Sequence, residues 1–402
     1  MKNCVITSAV RTPVGAYLGS LKSVPVDELA VPVLQEVLKR SNISADKVEQ
    51  VILGNVLGID PNVARLSALL AGYPIETPAF TVDRQCGSSL QALINAEQSI
   101  KAGKEEVLVA GGSESMSRGP YYLPPTLRYE PLRGDSTITD AFQYAVTHAH
   151  PHQLYKGLNM GLTAENIAKR YQITRQAQDE FAYDSQMKYK AAYEGGKFKD
   201  EILPITVKER KNEFVFDTDE HPRMNATMQS LGSLKPAFLF DGTGTVTAGN
   251  ASGMNDGASA VVVMSEDKAE QLGCKPLVRV VESSSVGVDP SIMGIGPVYA
   301  IRKLLERTGL SLEDIGLFEL NEAFAAQSIG CLIELGMAPG SKLYERVNVN
   351  GGAVAHGHAL GNSGTRILTT LIYEMKRRNV ERGIATLCCG GGQGVAVLIE
   401  NC

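Results

Sequence analysis

Two similar stretches lie far apart in this chain, and this internal repeat limits the folds that it can adopt. Residues 44–55 (SADKVEQVILGN) resemble residues 311–322 (SLEDIGLFELNE), and each reads as a capped turn followed by an apolar strand running up to an Asn. Thirty-one residues beyond that Asn lie Cys86 in one case and Gly352 in the other. The repeat predicts a fold built from two similar halves.

The spacing of the elements predicts what each half contains. We expect helices over residues 88–102 and 361–378, each after a turn rich in glycine and serine, and strands ending in glycines over residues 107–112 and 385–390. Strand, helix and strand at this spacing indicate parallel βαβ units, hence an α/β fold with two pseudo-symmetric halves. In such halves ligands bind where strands end and helices begin.

Residues 119–249 have a different sequence pattern, which begins with a loop-rich stretch and contains a long helical pattern over about 163–194. We interpret this region as an inserted loop domain that covers the site and binds part of a large substrate. The expected division of the chain is then an amino-terminal half (residues 1–118 and 250–270), the loop domain and a carboxyl-terminal half (residues 271–402).

Composition excludes several functional classes. Apolar residues make up 44% of the 402 residues and charged residues 21%, which is typical of a soluble globular enzyme or binding protein. A net charge of −5 argues against a nucleic-acid partner, which requires clustered positive charge. No apolar run approaches the roughly twenty residues that span a bilayer. Seven cysteines without disulfide spacing indicate a reducing compartment, so we expect a cytoplasmic protein.

Reactive side chains are concentrated in four glycine-flanked segments: residues 83–90 (DRQCGSSL), 321–324 (NEAF), 350–358 (NGGAVAHGH) and 388–392 (CCGGG). All four lie at expected junctions between secondary-structure elements. They supply thiols, an imidazole and an amide, the groups needed to pass an acyl group through a thioester. Their placement predicts one site at the contact between the halves.

Cys86 is the first candidate, because it follows an expected strand and opens an expected helix. The positive end of the helix dipole stabilises a thiolate, which is the nucleophilic form. Taken alone, Cys86 could equally be a buried structural cysteine. Since three other reactive segments accompany it, we interpret Cys86 as the nucleophile.

A base for this thiol is expected in the third segment. His358 lies in a glycine-hinged turn that can hold an imidazole rigidly, and His356 competes with it two positions earlier. We assign the role to His358, which adjoins the start of the helix, and regard His356 as a neighbour that could tune it.

Cys388 and Cys389 end a strand at a triple glycine, where backbone N–H groups such as that of Gly390 can face a cavity. Such N–H groups stabilise an oxyanion or enolate, and a second thiol can shuttle a proton. One of the two cysteines is expected to pack in the core, and the residues alone leave open which one. Asn321 can hold a water or an oxyanion, although an Asn at a strand end more often forms a turn.

His148, His150 and His152 alternate, which would put three imidazoles on one side of an extended segment and raises the question of zinc. No cysteine or carboxylate accompanies them at ligand spacing, and Pro151 indicates a loop. The glycine pairs do not form a nucleotide-binding fingerprint. We expect neither a metal nor a bound cofactor.

These segments together resemble the thiolase family over nearly the whole chain. Residues 11–15 (RTPVG), 111–117 (GGSESMS), 160–166 (MGLTAEN) and 247–253 (TAGNASG) are similar to that family as well. The resemblance implies two halves in αβαβα layers with a loop domain, in a homodimer or homotetramer. It also implies acyl transfer between coenzyme A thioesters, with the reversible Claisen condensation of two acetyl-CoA to acetoacetyl-CoA and coenzyme A as the expected reaction.

The resemblance also implies roles for single residues. Cys86 resembles the acylated nucleophile, His358 its base, and Cys388 the acid/base for the α-proton of the second acyl-CoA. Asn321 would fix a water in one oxyanion hole, and the N–H groups of Cys86 and Gly390 would form the other. The residues that would contact coenzyme A are Arg223 and Ser252, and those that would line the acyl pocket are Met160, Met293 and Phe324.

The chain departs from the family pattern at several positions. Ala359 stands where the family usually has proline, His356 where it has an aliphatic residue, Asp83 where it has Asn and Ser89 where it has Gly. Short-chain members commonly have His where this chain has Asn159, so the acyl chain length stays open.

Three other functions remain possible at this point. They are a 3-ketoacyl-CoA thiolase of fatty-acid degradation with broader specificity, a decarboxylating ketoacyl synthase, and a non-catalytic acyl-CoA-binding protein. Such a synthase resembles an arrangement with histidines on separate loops and no second catalytic cysteine. Here His356 and His358 share one loop and Cys388 is present.

Overall fold

The computed structural model describes residues 2–58, 60–131, 133–209 and 212–402. Its strands are β1 (Cys4–Arg11), β2 (Gly15–Ala16), β3 (Gln50–Gly54), β4 (Ala79–Val82), β5 (Val107–Ser115), β6 (Tyr121–Tyr122), β7 (Thr139–Asp140), β8 (Ile205–Glu209), β9 (Asn212–Phe216), β10 (Asn255–Ser265), β11 (Val278–Gly287), β12 (Leu317–Leu320), β13 (Arg382–Cys389) and β14 (Gln393–Asn401). Its helices are α1 (Val26–Ser41), α2 (Val63–Leu70), α3 (Ser88–Lys101), α4 (Ala141–His148), α5 (Met160–Arg170), α6 (Arg175–Glu194), α7 (Met228–Gly232), α8 (Glu266–Leu272), α9 (Gly296–Thr308), α10 (Ala325–Glu334), α11 (Ala353–His356) and α12 (Ser363–Arg378).

The order of the strands confirms the internal repeat. In the amino-terminal half the order is β4-β3-β5-β10-β1, with β3 parallel to both of its neighbours and the later pairs antiparallel. In the carboxyl-terminal half the order is β12-β13-β14-β11, with β12 parallel to β13 and the later pairs antiparallel. A parallel bridge between Phe318 and Val347 takes the place that β4 has in the first half. A short pairing of β1 with β11 joins the two halves.

Alternation along the strands creates the predicted αβαβα layers. On β10, Val261 and Val263 face a central core that contains residues of α3 and α12, whereas Ala260 and Val262 face an outer core beneath α1. Successive side chains of a strand point to opposite faces, so each sheet packs helices on both sides. A second outer core lies under α9 and α10. The helices α3 and α12 contact each other in the middle layer.

Both predicted central helices are confirmed, and the strands after them are slightly longer than expected. The helical pattern over 163–194 is wrong as a continuous element, because the structure has two helices, α5 and α6. Gln172 adopts a left-handed conformation (φ 54°) between them, and the side chain of Thr174 caps α6 by accepting a hydrogen bond from the N–H of Ala177 at 3.1 Å. Periodicity alone does not reveal such a break.

The inserted region contains α4 to α7 and two small hairpins, β6-β7 and β8-β9. Its helices α5 and α6 pack against α10 of the carboxyl-terminal half. Within the described ranges, no helix combines the length and the apolar character needed to cross a bilayer.

Candidate active site

A tight turn between β4 and α3 presents Cys86. Gln85, directly before it, has a φ of 50°, which is uncommon for a residue with a side chain. Asp83 Oδ1 accepts a hydrogen bond from the N–H of Gln85 at 2.6 Å. Ser88 Oγ accepts one from the N–H of Arg84 at 2.9 Å and donates to the carbonyl of Gln85 at 2.6 Å. These bonds hold a strained backbone and so fix the position of the thiol.

The thiol of Cys86 is neutral in the ligand-free protein. Loss of hydration raises the pKa of Cys86 to about 12, even though the N–H of Gly390 donates to the sulfur and pulls the pKa down. The helix dipole alone therefore does not hold Cys86 as a thiolate, because burial outweighs it. A base must take the proton during attack on a substrate.

His358 lies in the turn between α11 and α12, and its hydrogen bonds define its tautomer. Its backbone N–H donates to Asn255 Oδ1 at 2.9 Å. Its Nδ1 lies 2.6 Å from Ser363 Oγ, and that hydroxyl donates its one proton to the carbonyl of Ala359 at 2.9 Å. Ser363 therefore accepts from Nδ1–H, and Nε2 carries the lone pair. Nε2 is buried and has no partner.

His358 is uncharged as well as correctly oriented. Burial lowers the pKa of His358 to about 3, and the charge of Arg366 adds to the shift. Its loop reaches the nucleophile, because Leu360 and Met254 share one apolar cluster with Cys86. A backbone bridge joins Met254 to His358. The two halves thus bring a neutral thiol and a neutral imidazole into one neighbourhood.

His356 faces away from this neighbourhood. Its ring packs edge-on against Tyr189 and Phe198 at 4.7 and 5.1 Å, and its Nε2 lies 3.2 Å from the carbonyl of Asn350. Its Nδ1 lies 3.6 Å from a carboxylate oxygen of Asp219. The idea that His356 competes as a base or tunes its neighbour is therefore wrong, because its ring belongs to the packing beneath α6.

The strand β13 separates its two terminal cysteines. Cys389 lies in the central core, next to Gly87. Cys388, on the opposite face, packs with Met293 and Ala323. Burial raises the pKa of both thiols well above the ordinary value, and a charge on Cys86 raises each pKa further. Strand alternation therefore places Cys389 in the central core and Cys388 beside Met293, on opposite faces of β13.

The side chains expected to line an acyl pocket lie together around Cys388. Met160 and Phe324 contact the cluster formed by Cys388, Met293 and Ala323. Met160 begins α5 of the loop domain, whereas Phe324 precedes α10 of the carboxyl-terminal half. This apolar cluster is therefore assembled from separate parts of the chain.

Asn321 follows β12, and its backbone N–H donates to the carbonyl of Thr386 on β13 at 3.0 Å. Its side chain is 1% exposed, and neither Oδ1 nor Nδ2 has a hydrogen-bond partner. An unsatisfied buried amide costs free energy on the order of 1–3 kcal/mol. The Nε2 of His358 is likewise buried and unpaired, so each of the two groups can bind a water molecule or a substrate oxygen.

Of the two residues expected to contact coenzyme A, Ser252 lies beside the cluster around Cys388. The N–H of Ser252 donates to the carbonyl of Ala323 at 3.0 Å. The ring of His221 packs on Gly253, where an added Cβ would lie 2.1 Å from the ring. Burial lowers the pKa of His221 to about 4, and the charge of the exposed Arg223 adds to this shift. Arg223 and Ser252 are thus linked through His221.

Sequence reasoning missed Glu114, which joins segments of the site. Glu114 is buried and accepts hydrogen bonds from the N–H groups of Val56 and Leu57 at 3.0 Å and of Gly361 at 2.7 Å. It thereby joins the first half to the turn that carries His358. Its position in the segment 111–117, which resembles the thiolase family, could have marked Glu114 as a candidate. Nothing in the sequence, however, indicates which backbone groups it binds.

Two of the departures from the family pattern have local roles. Asn159 caps α5, because its Oδ1 accepts a hydrogen bond from the N–H of Leu162 at 3.0 Å. Ser89 Oγ accepts a hydrogen bond from the N–H of Thr365 at 3.0 Å, which links the first turns of α3 and α12.

The three alternating histidines do not share one side of an extended segment. His148 ends α4 and stacks on Tyr144 with ring centroids 4.1 Å apart, and its ring also lies 6.2 Å from that of His152. His150 turns instead towards Tyr155. No group of three side chains in the described parts of the chain is arranged to hold a metal ion.

Comparisons with known proteins agree with this architecture. Residues 4–267 match the family description "Thiolase, N-terminal domain" and residues 274–401 match "Thiolase, C-terminal domain". The chain therefore belongs to the thiolase family, a class of acyltransferases.

Individual relatives match over their full length. The chain is 48% identical over 404 residues to an acetyl-CoA acetyltransferase of Syntrophomonas wolfei, covering 99% of both chains. The crystal structure of the Bacillus anthracis acetyl-CoA acetyltransferase is similar with a TM-score of 0.95 and 48% identity, covering 100% of this chain and 99% of that one. The human mitochondrial 3-ketoacyl-CoA thiolase is similar with a TM-score of 0.93 and 40% identity, with the same coverage.

Proposed function

We propose that this protein catalyses the reversible condensation of two acetyl-CoA molecules to acetoacetyl-CoA and coenzyme A through an acetyl group carried on Cys86. The observation that most supports this is the pairing of two neutral groups, the thiol of Cys86 and the imidazole of His358, whose free Nε2 can accept a proton. The relatives named as acetyl-CoA acetyltransferases support the choice of substrate.

In the first half of the reaction, His358 Nε2 takes the proton of Cys86 while the sulfur attacks the thioester carbonyl. The N–H groups of Cys86 and Gly390 stabilise the oxyanion that forms. The carbon–sulfur bond of the thioester then breaks, and the proton passes from His358 to the departing coenzyme A. The products are acetyl-Cys86 and free coenzyme A.

In the second half, Cys388 is the acid/base. The thiol of Cys388 first gives its proton to His358 Nε2, and its thiolate, a strong base because the pKa of Cys388 is raised, removes the α-proton of the second acetyl-CoA. A water held by Asn321, together with the Nε2–H that His358 now carries, stabilises the enolate oxygen. The enolate carbon attacks the acetyl carbonyl and the carbon–sulfur bond to Cys86 breaks. The departing Cys86 thiolate takes the proton from His358, Cys388 keeps the α-proton, and acetoacetyl-CoA is released.

A second candidate is a broader 3-ketoacyl-CoA thiolase of fatty-acid degradation. The apolar pocket of Met160, Met293 and Phe324 and the likeness to the human mitochondrial 3-ketoacyl-CoA thiolase favour it. The two functions are distinguished by dividing kcat/KM for thiolysis of the four-carbon substrate, acetoacetyl-CoA, by kcat/KM for longer 3-ketoacyl-CoA substrates. A ratio well above one supports the acetyl-specific function.

We further propose that the enzyme is a cytoplasmic homodimer or homotetramer that needs no cofactor, since coenzyme A thioesters are its substrates. Arg223 and Ser252 are proposed to contact coenzyme A. We also propose that the loop domain spans residues 119–249, that the amino-terminal half comprises residues 1–118 and 250–270, and that the carboxyl-terminal half begins at residue 271.

Mass spectrometry of the intact protein after exposure to acetyl-CoA tests the proposal directly. We expect one added acetyl group in the wild type and none in Cys86→Ala. Cys402→Ala is the matched control, because Cys402 is an exposed free thiol that could react without catalysis. An adduct that survives in Cys86→Ala, or no adduct at all, contradicts the proposal, and the second result favours a non-catalytic binder. Carbon dioxide release from a malonyl thioester would instead indicate a decarboxylating synthase.

A further inference from the structure

The carboxylate of Glu114, which has no part in the proposed chemical steps, is fully buried and surrounded by hydrogen-bond donors. Its Oε2 accepts hydrogen bonds from the N–H groups of Gly361 at 2.7 Å and Val56 at 3.0 Å. Its Oε1 accepts from the N–H of Leu57 and from Asn55 Nδ2, each at 3.0 Å. A carboxylate accepts at both oxygens, whereas a carboxylic acid would set its own O–H against these donors. The contacts therefore favour the charged form of Glu114.

The internal repeat makes Glu114 the counterpart of Cys388. Gly112 of β5 pairs with the last residue of β3, and Thr386 of β13 pairs with the last residue of β12. Glu114 and Cys388 each follow two residues later. One half thus has a carboxylate where the other half has the proposed acid/base.

The partner of Glu114 follows the same repeat. Gly361 lies two residues before α12, and Cys86 lies two residues before α3. The turn that contains Gly361 carries His358 three residues earlier. Glu114 of the amino-terminal half therefore holds the turn of the carboxyl-terminal half that presents the proposed base.

This turn is held by the amino-terminal half on both sides of the imidazole. Asn255 Oδ1 accepts from the N–H of His358 at 2.9 Å, and Glu114 accepts from the N–H of Gly361. The carbonyl oxygen of Gly361 lies against β5, because an added Cβ on Gly112 would be 2.1 Å from it. Losing the contact with Glu114 would free one end of the turn and so alter the position of the ring.

Burial raises the pKa of Glu114 to about 7, although the N–H donors lower it, and the charge of Asp83 raises it further. Other titratable groups lie on the neighbouring elements: Cys86 before α3, His358 and Arg366 around the start of α12, and Asp256 on β10. The pKa of Cys86 is about 12 and that of His358 about 3. Neither member of this pair changes its charge near neutral pH.

We propose that Glu114 is a positioning residue for His358 that holds the base in place only while its carboxylate is charged. The inference rests on the proposed function and extends it, because it assigns the pH dependence of the reaction to a residue outside the reacting groups. Protonation replaces a charge-assisted hydrogen bond to Gly361 by a neutral one of about half the strength. The turn then no longer keeps the imidazole in its reactive position.

The test compares the wild type with Glu114→Gln, which keeps the shape of the side chain but is uncharged at every pH. The kcat for condensation of acetyl-CoA is measured between about pH 8 and about pH 5.5. We expect the wild type to exceed the variant by about 10- to 100-fold at pH 8 with similar KM, since a misplacement of about 1 Å costs on the order of 10²-fold. Below about pH 7 the wild type should lose activity and the ratio should approach one. Ionisation of coenzyme A cancels in this ratio.

Glu165→Gln is the matched control in the loop domain. The carboxylate of Glu165 is also buried and accepts hydrogen bonds from the N–H groups of Thr245 and Val246 at 2.9 Å. This variant should keep the wild-type pH dependence of kcat, because its turn does not carry His358.

Asp83→Asn provides a second test, which decides the matter even where Glu114→Gln does not fold. Asparagine retains an oxygen that can accept from the N–H of Gln85 but removes the charge that raises the pKa of Glu114. The loss of wild-type activity in acid should therefore begin at a lower pH in this variant.

A ratio of wild type to Glu114→Gln that is the same at every pH would overturn the inference. An acid loss that begins at the same pH in Asp83→Asn as in the wild type would also overturn it. Both results leave the proposed function intact, provided that the wild type condenses acetyl-CoA. A wild type that neither condenses acetyl-CoA nor forms acetyl-Cys86 contradicts the proposed function, and this inference with it.

Discussion

His358 Nδ1 lies 2.6 Å from Ser363 Oγ, one turn further along the chain, and this contact determines what the imidazole can do. The hydroxyl of Ser363 donates its proton to the carbonyl of Ala359, so Ser363 can only accept a hydrogen bond from the ring. The free lone pair is thereby placed on Nε2, which has no partner in the protein. In the proposed mechanism Ser363 is a positioning residue, because it keeps the lone pair of His358 on Nε2.

Ser363→Ala should therefore lower kcat for acetoacetyl-CoA thiolysis with little change in KM. The ring would lose its orientation and its preferred tautomer, and we expect a loss of about tenfold or more, corresponding to at least ~1.4 kcal/mol of transition-state stabilisation. Ser363→Thr keeps the hydroxyl and should restore most of the rate. Steady-state kinetics of both variants check this, and equal kcat values for wild type and Ser363→Ala would contradict the assignment.

Cys388 and Cys389 should respond differently to the same substitution. Cys388→Ala should keep the acetyl adduct on Cys86 but lose condensation by a factor of about 10² to 10⁴, the usual contribution of an acid/base group. Cys389→Ala removes a core contact, so it should lower the free energy of unfolding while the folded protein keeps its turnover. Adduct mass, condensation rate and denaturant unfolding of both variants make the comparison. A condensation defect in Cys389→Ala alone would reverse the two roles.

His356 should make the protein sensitive to acid. Burial lowers the pKa of His356 to about 4, below its ordinary 6.5, so the unfolded chain binds the proton more tightly than the folded one. The free energy of unfolding should consequently fall as the pH drops below about 6.5, by about 2 kcal/mol for this residue between pH 7 and pH 5.

The matching variant is His356→Leu, which replaces the imidazole by an aliphatic side chain. Its free energy of unfolding should change less between pH 7 and pH 5 than that of the wild type, as measured by denaturant titration at both pH values. His152→Leu, at an exposed position, serves as the control and should keep the wild-type dependence. An unchanged slope in His356→Leu would show that this histidine is not the acid-sensitive group.

Gly112 should tolerate no side chain. A Cβ there would lie 2.1 Å from the carbonyl oxygen of Gly361 and 2.7 Å from Ser89 Cβ, where the turns of the two halves meet. Gly112→Ala should destabilise the protein by several kcal/mol (~3 or more) or prevent folding, because backbone has to move apart. Gly232→Ala is the control, since its Cβ would meet no atom within 4 Å. Soluble yield and denaturant unfolding report the difference.

Much of this arrangement could be read from the sequence. The repeat around residues 44–55 and 311–322 predicted the paired halves, and the segments rich in glycine predicted which loops meet. Other features could not be predicted because their signals are not local. The pairing of Glu114 with Gly361 joins residues 247 positions apart, and no pattern in either segment points to the other.

The sequence by itself determined the α/β class, the two halves and the set of reactive residues, because periodicity and turn chemistry act over short distances along the chain. Only the tertiary structure decided which of two adjacent cysteines packs beside Met293 and which of two nearby histidines keeps an unpaired Nε2. Those choices depend on strand alternation and on the packing of distant elements, such as Tyr189 against His356. The protonation states also depend on the tertiary structure, because burial keeps Cys86 and His358 uncharged.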